Sequence, residues 1–280
     1  MSQDERFRDK AITRQAVDYT YRLLDEDDLT QGGTAVAIKI GSHYFLATAA
    51  HTLASRHHLS VHLKRKSLTY SKFIKREFYP DNAPDVGFLE VPQEDVSRFP
   101  HCFLDVKQIL PAFDRNLVLP VRVVGFPGEY LQIVEEEQIG PNGVIQTRAI
   151  HAFHQVTQTI PQSKWPTNKR NDESDVYVEF RKDVAVSLDS PGLDMPLRET
   201  ADTAPQLQGM SGGGIWLEAE VANKEIWRAD ARLLALQSSY HKSEGWIKGT
   251  SMAKLLDLIK ECYPDLEQAV ADIMKGDSGA

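Results

Sequence analysis

The chain has 280 residues, of which 41% are hydrophobic and 26% charged, a composition typical of a globular protein with a sizeable core. Its formal net charge of −8 argues against general nucleic-acid binding, and its two cysteines argue against a disulfide framework. The N-terminus has no apolar signal segment, and no apolar run approaches the roughly 20 residues that span a bilayer. We therefore expect a cytoplasmic protein that binds neither nucleic acid nor membrane.

The first element has the pattern of a helix. Apolar residues recur there at near-helical spacing: Phe7, Ile12, Val17, Tyr21 and Leu24. This spacing predicts an amphipathic helix over residues 4–24. The acidic run at residues 25–28 and a following pair of glycines end it.

The pattern then changes to short runs rich in β-branched and aromatic residues, most of them separated by Gly, Pro, Asn or Asp. The runs are TAVAIKI, YFLATAA, SVHLKRK, VGFLEV, NLVLPVRVVGF, GVIQTRAIHAF, DVYVEFR and RLLALQSS. The sequence contains no βαβ alternation and no internal repeat. Such a series is typical of an all-β sandwich or barrel.

Residues 157–175 have the composition of a long polar loop. From Ser251 the period returns to that of a helix, Pro264 interrupts it, and residues 265–274 form a last helical piece. The segment from Thr52 to Arg76 contains seven basic residues and no acidic one. We interpret it as the solvated face of a hairpin rather than a polyanion site.

Four glycines surround one serine in the stretch QLQGMSGGGIW, residues 206–216. Glycine tolerates a positive φ and serine favours turns, so the stretch is compatible with a simple flexible turn. The alternative is that the backbone bends to aim Ser211 and nearby N–H groups at one point. A nucleophile and an oxyanion hole require that arrangement.

An activated serine needs a base, and the base needs an orienting acid. The run YFLATAAHTL ends an apolar strand in small residues and then His51, which suits an imidazole at the edge of a cleft. Asp85 directly precedes the apolar run VGFLEV, a junction at which a carboxylate can be partly buried while the following residues anchor it. Asp175 has the same local pattern and Asp81 is a third choice. Asp85 is preferred because it shares the first β-rich half with His51.

The motifs TAAH, DVGFLEV and GMSGG, in the order His, Asp, Ser, resemble the trypsin-like serine peptidases of the chymotrypsin fold. The resemblance covers roughly residues 31–250, and VVGFPG at 123–128 resembles the turn that opens the second barrel in bacterial members. It implies an all-β fold of two packed antiparallel β-barrels with N-terminal and C-terminal helices. The expected boundaries are 1–30 for a helical extension, 31–115 and 116–250 for the two barrels, and 251–280 for the C-terminal helix and tail.

The resemblance also implies roles. His51 would act as general base and then general acid, Asp85 would hold its tautomer, and Ser211 would attack the carbonyl. The N–H groups of Gly209 and Ser211 would form the oxyanion hole. The chain would be a serine endopeptidase that acts on protein or peptide substrates through an acyl-enzyme, with no cofactor and no metal.

Two departures from the family affect activation and specificity. Met210 precedes the serine where activated zymogens carry an aspartate, so we expect a preformed site, a buried Met210 and restraint by a regulatory protein partner or the terminal helices. Pro205 occupies the position that usually sets P1 preference. Ser238, Ser239 and Tyr240 resemble the strand that lines this pocket, and Tyr240 would narrow its mouth. Together they favour small or apolar P1 residues.

Three other interpretations fit parts of the sequence. GMSGG also satisfies the G-x-S-x-G elbow of α/β-hydrolases, but that elbow needs a helix after it and an acid and a histidine later in the chain. A metal site could use histidines at four positions: His51, His57, His58 and His62. No cysteine or acid completes that set, and His57 and His58 would point to opposite faces of a strand. A protease-shaped module that binds peptides without cutting them is the third alternative.

Overall fold

The computed structural model describes residues 3–25, 32–53, 59–62, 77–78, 84–99, 103–128, 131–140, 143–150, 152–167, 173–181, 185–188, 207–220 and 229–275. Within them, strands form two large antiparallel sheets and one small hairpin, and helices lie at both ends of the chain. The prediction of an all-β body with terminal helices is thereby confirmed.

The first sheet has six strands in the order β4-β1-β2-β3-β6-β5. Their bounds are β1 Thr20–Asp25, β2 Gly32–Ile40, β3 His43–Thr48, β4 Leu59–His62, β5 Glu77–Phe78 and β6 Gly87–Val91. β2 is buried on both faces because alternate side chains enter two different cores. Val36 and Ile38 join the large core shared with the second sheet, whereas Ala35 and Ala37 pack with Leu46 inside the first sheet.

The second sheet has seven strands in the order β11-β15-β14-β13-β7-β10-β12, and β8 and β9 pair separately. Their bounds are β7 Pro120–Gly125, β8 Leu131–Gly140, β9 Gly143–Ile150, β10 Ala152–Gln158, β11 Asp175–Glu179, β12 Ala185–Leu188, β13 Gly214–Glu220, β14 Ala229–His241 and β15 Trp246–Ser251. Its own core includes Val121, Val123, Ile215 and Met210. Each of the two large sheets is a curled half-barrel, as the all-β pattern predicts.

The helices are α1 Gln3–Asp18, α2 Ala50–Leu53, α3 Met252–Cys262 and α4 Glu267–Lys275. The two predicted C-terminal helical pieces are confirmed, and their buried apolar side chains pack into the large core. In the described part of the chain, no helix is long and apolar enough to cross a bilayer.

Two predictions about elements were wrong. The N-terminal helix ends at Asp18, and residues 20–24, predicted as its last turns, are strand β1 between β2 and β4. Tyr21 and Leu23 are buried in the first-sheet core, so tertiary packing overrides the helical spacing. The predicted polar loop at 157–175 is also shorter than expected, because Thr157 and Gln158 end β10 and Asp175 begins β11.

Candidate active site

His51 lies in a single helical turn, α2, that directly follows β3. Alanines at 47, 49 and 50 are buried and allow the chain to turn tightly at the end of the strand. Thr52 and Leu53 are buried beside His51, whereas the imidazole itself is 51% exposed. A buried strand and two buried neighbours therefore hold a histidine ring at the surface of a cleft.

Asp85 contacts His51 through both of its carboxylate oxygens. His51 Nδ1 lies 2.7 Å from Oδ2, and the His51 backbone N–H donates to Oδ1 at 3.0 Å. The register of the first sheet explains the contact, because β3 and β6 pair with Thr48 opposite Gly87 and bring the segments beyond them together. With Nδ1–H donating to the carboxylate, Nε2 is left as the proton acceptor.

The alternative acids are not in this contact. Asp175 is buried at the start of β11, and its Oδ2 lies 2.9 Å from Lys248 Nζ. Asp81 lies outside the described residues. Of the acids weighed from the sequence, the structure brings Asp85 to His51.

Ser211 lies in the loop that precedes β13, residues 207–213, which we call the serine loop. Met210 N–H donates to Leu207 O at 3.0 Å and closes a four-residue turn with Gly209 in its third position. The φ of Gly209 is +90°, a left-handed value that glycine adopts without steric cost. Met210 is fully buried in the second-sheet core, as predicted, and anchors this turn.

Every carbonyl from residue 207 to residue 211 accepts a hydrogen bond. Leu207 O accepts from Met210 N, and Gln208 O accepts from Gly128 N at 2.7 Å. Gly209 O accepts from the Thr34 hydroxyl at 3.0 Å. Met210 O accepts from Gly213 N at 2.7 Å, and Ser211 O accepts from Thr34 N at 2.8 Å. A hydrogen bond to the carbonyl oxygen therefore holds the loop backbone at each of these five residues.

The N–H groups of the same loop fall into two sets, those that donate a hydrogen bond and those that do not. Those of Met210, Gly212 and Gly213 donate to backbone carbonyls. Those of Gly209 and Ser211 find no acceptor within the part of the chain that the structure describes. A planar trans peptide directs its N–H and C=O in opposite directions. Since Gln208 O faces Gly128, the N–H of Gly209 faces the other way.

Gly212 is the second glycine of the loop that the backbone requires. Its φ is +87°, and a Cβ on it would lie 2.0 Å from Thr34 O and 2.1 Å from the Thr48 hydroxyl. The first sheet thus approaches the serine loop so closely that no side chain fits. The backbone conformation and the packing of this loop therefore require glycine at both 209 and 212.

Thr34 on β2 was not identified from the sequence. Its N–H donates to Ser211 O, and its hydroxyl donates to Gly209 O while accepting from Phe126 N at 3.0 Å. One side chain of the first sheet therefore joins two loops of the second. A threonine after two glycines gives no signal of such a role, because the contact depends on how the sheets meet.

A cleft of about 440 Å³ contains both His51 and Ser211. It is also lined by Gly32, Leu207, Gln208, Gly209, Gln237, Ser238, Ser239 and Tyr240. Three of the residues predicted for substrate binding thus lie at the cleft, although the Ser238 hydroxyl donates to Lys248 O at 3.2 Å. Pro205, predicted at the base of the P1 pocket, lies outside the described residues, as do His57 and His58.

A separate ionic cluster joins α1 to the second sheet around one buried guanidinium. The fully buried Arg122 contacts Asp9 Oδ1 at 2.6 Å and Glu218 Oε1 at 2.7 Å. Burial lowers the pKa of the nearby His154 to about 4, with a further lowering by Arg122 and an opposing effect of Asp9. His154 does not line the cleft and remains a neutral structural histidine at physiological pH.

No protein-family model matches the chain, and no curated protein matches its sequence. Among solved structures, the chain is similar to the inactive form of the Rv3671c protease from M. tuberculosis H37Rv, with 13% identity and a TM-score of 0.45. That alignment covers 91% of this chain and 94% of the other. The serine protease domain of the Sesbania mosaic virus polyprotein is similar at 9% identity and a TM-score of 0.43, over 84% of this chain and 88% of the other. The two large antiparallel sheets, each a curled half-barrel, agree with the two-barrel fold that the sequence predicts.

Proposed function

We propose that the chain is a serine endopeptidase in which His51, Asp85 and Ser211 form the catalytic triad. The observation that carries the proposal is which backbone groups of the serine loop are hydrogen-bonded and which are not. All carbonyls from 207 to 211 bond inward, whereas the N–H groups of Gly209 and Ser211 have no acceptor in the described part of the chain. Both residues line the cleft that also contains His51.

In acylation, Ser211 Oγ attacks the carbonyl carbon of the scissile peptide bond while His51 Nε2 takes the hydroxyl proton. The C–N bond then breaks, and the imidazolium returns that proton to the leaving amine. Asp85 accepts from Nδ1 throughout and stabilises the transient positive charge on the ring. In deacylation, a water molecule attacks the ester with His51 again as base, which releases the acid and regenerates Ser211.

The carbonyl oxygen becomes negatively charged in the tetrahedral intermediate. The N–H groups of Gly209 and Ser211 are held in advance by the inward bonds of their loop, so they can donate to this oxyanion without rearrangement. One such donor is typically worth about 3 kcal/mol of transition-state stabilisation. The same preorganisation supports the expectation of a site that needs no proteolytic activation.

The cleft supports a preference for uncharged P1 side chains. Its lining residues include no Asp, Glu, Lys or Arg, so the described part of the cleft offers no countercharge for a basic or acidic P1 residue. Ser238 is buried, and Tyr240 lies at the same cleft. We expect small or apolar P1 residues, and we keep a regulatory protein partner as a proposal.

Hydrolysis of a peptide library by the purified 280-residue chain tests the function. We expect cleavage by the parent and none by Ser211→Ala, with equal thermal unfolding of the two proteins. Equal turnover by both would remove Ser211 from the mechanism. Binding of peptides without cleavage by a folded parent would favour the non-catalytic module over the peptidase.

A further inference from the structure

Arg22 on β1 is a buried cation beside the serine loop. Its residue exposure is only 1%, and its Nη1 donates to the backbone carbonyl of Phe126. Nη1 also lies 3.0 Å from the position that a Cβ on Gly209 would occupy. Burial of a guanidinium is costly unless it is hydrogen-bonded, and the Phe126 carbonyl supplies one of its acceptors.

The backbone of Phe126 is held at both ends by the first sheet. Arg22 donates to its carbonyl oxygen, and the Thr34 hydroxyl accepts from its N–H at 3.0 Å. Arg22 and Thr34 are direct cross-strand partners on β1 and β2. Two neighbouring side chains of one sheet therefore fix the turn that follows β7 in the other.

The turn at residues 126–128 also fixes the serine loop. Gly128 N–H donates to Gln208 O at 2.7 Å, and Gly128 N and Phe126 O lie 3.0 Å and 3.2 Å from the Cβ position of Gly209. The hydrogen bond to Gln208 O determines which way the peptide between Gln208 and Gly209 faces. If Phe126 and Gly128 moved, this peptide could rotate and withdraw the Gly209 N–H from the cleft.

The segment that carries Arg22 is anchored on both sheets. α1 is held on the second sheet by the ion pair of Asp9 with Arg122, and the Gln15 side chain accepts from Ala231 N–H at 3.0 Å. β1 is paired on both sides within the first sheet. Residues 3–25 therefore hold the guanidinium in a fixed position relative to the serine loop.

We propose that Arg22 is a positioning residue that holds the Phe126–Gly128 turn and, through it, keeps the Gly209 N–H directed into the cleft. The N-terminal segment then performs a structural task that a cleaved N-terminus performs in zymogen-type enzymes, without any cleavage. This inference rests on the proposed peptidase function for its catalytic consequence, but the orientation of the Gly209 peptide can be measured without activity.

The test compares Arg22→Met, Arg22→Lys and Gly128→Pro with Arg14→Gln as control. Arg14 is exposed on the same segment, and its Nε lies 3.7 Å from Asp18. Gly128→Pro removes the N–H donor to Gln208 O without changing Arg22, because proline has no backbone N–H. Selective ¹⁵N labelling of the 17 glycines gives few enough amide signals to identify that of Gly209 by its loss in Gly209→Ala.

We expect Arg22→Met and Gly128→Pro to shift the Gly209 amide signal and to lower kcat about 10- to 100-fold with KM changed less than about threefold. Arg22→Lys should retain part of the kcat that Arg22→Met loses. The double variant with both Arg22→Met and Gly128→Pro should lose little more kcat than either single variant. Arg14→Gln should match the parent. A Gly209 signal and kcat unchanged in a folded Arg22→Met would overturn the inference. An inactive parent would overturn the peptidase proposal instead, and the Gly209 signal would still decide the role of Arg22.

Discussion

Asp85 contacts His51 at two points: one carboxylate oxygen lies 2.7 Å from the ring Nδ1, and the other accepts from the His51 backbone N–H at 3.0 Å. The backbone contact anchors the carboxylate beside His51, and the ring contact favours the tautomer with its proton on Nδ1. The carboxylate is therefore suited to orient a general base.

Asp85→Asn should lower kcat by roughly 10⁴-fold, because an amide that donates to Nδ1 forces the wrong tautomer against the serine. Asp175→Asn is the matched control. Asp175 is buried in an ion pair with Lys248, so its change should cost stability, roughly 1–3 kcal/mol, with kcat nearly unchanged. Steady-state kinetics and urea unfolding separate these effects, and the reverse ranking of the two variants would show that Asp85 is not the acid.

Two glycines of the serine loop should respond differently to alanine. Gly209→Ala adds a Cβ at a φ of +90° against atoms 3.0 Å away, which twists the turn and should lower kcat about 10²- to 10³-fold in a folded protein. Gly212→Ala places a Cβ 2.0 Å from backbone and should prevent stable folding. Circular dichroism and kinetics distinguish the two, and full activity of Gly209→Ala would contradict the assignment of its N–H.

The burial of His154 predicts a pH dependence of stability. Its pKa is about 4 in the folded protein against 6.5 ordinarily, so between these values the unfolded chain binds a proton that the folded chain does not. The free energy of unfolding should therefore fall by roughly 2–4 kcal/mol as the pH decreases from about 6.5 to about 4. His154→Gln should remove this part of the dependence. Parallel curves of unfolding free energy against pH for the parent and His154→Gln would argue against this role of His154.

Removal of the N-terminal segment should not activate the protein. Met210 stands where zymogen-type enzymes have an aspartate for the new α-amino group, and a buried thioether cannot form that ion pair. Truncation of residues 1–25 also removes β1 from between β2 and β4, so activity should be lost. Acetylation of the intact N-terminus should change nothing. Activity that appeared only after a cut between Thr30 and Thr34 would contradict the preformed site.

The sequence predicted the elements whose signal is local. Small residues before His51, an acid directly before an apolar strand, and glycines around Ser211 are all visible in a few letters. The contact between His51 and Asp85 depends on the pairing of β3 with β6, which the local motifs do not specify. β1 was missed because Tyr21 and Leu23 fit a helical spacing equally well, and their burial between two strands is a tertiary effect. Thr34 and Arg22 were missed for the same reason, since their roles depend on where the two sheets meet.

The identity of the residue that a fluorophosphonate modifies tests the central claim most directly. The uncleaved 280-residue chain should gain one adduct by intact mass, and peptide mapping should locate it on Ser211. His51→Ala should slow the labelling by orders of magnitude, because Ser211 then has no base, and Ser211→Ala should abolish it. Absence of any adduct on a folded parent, or an adduct on another residue that persists in Ser211→Ala, would contradict the assignment of Ser211 as an activated nucleophile.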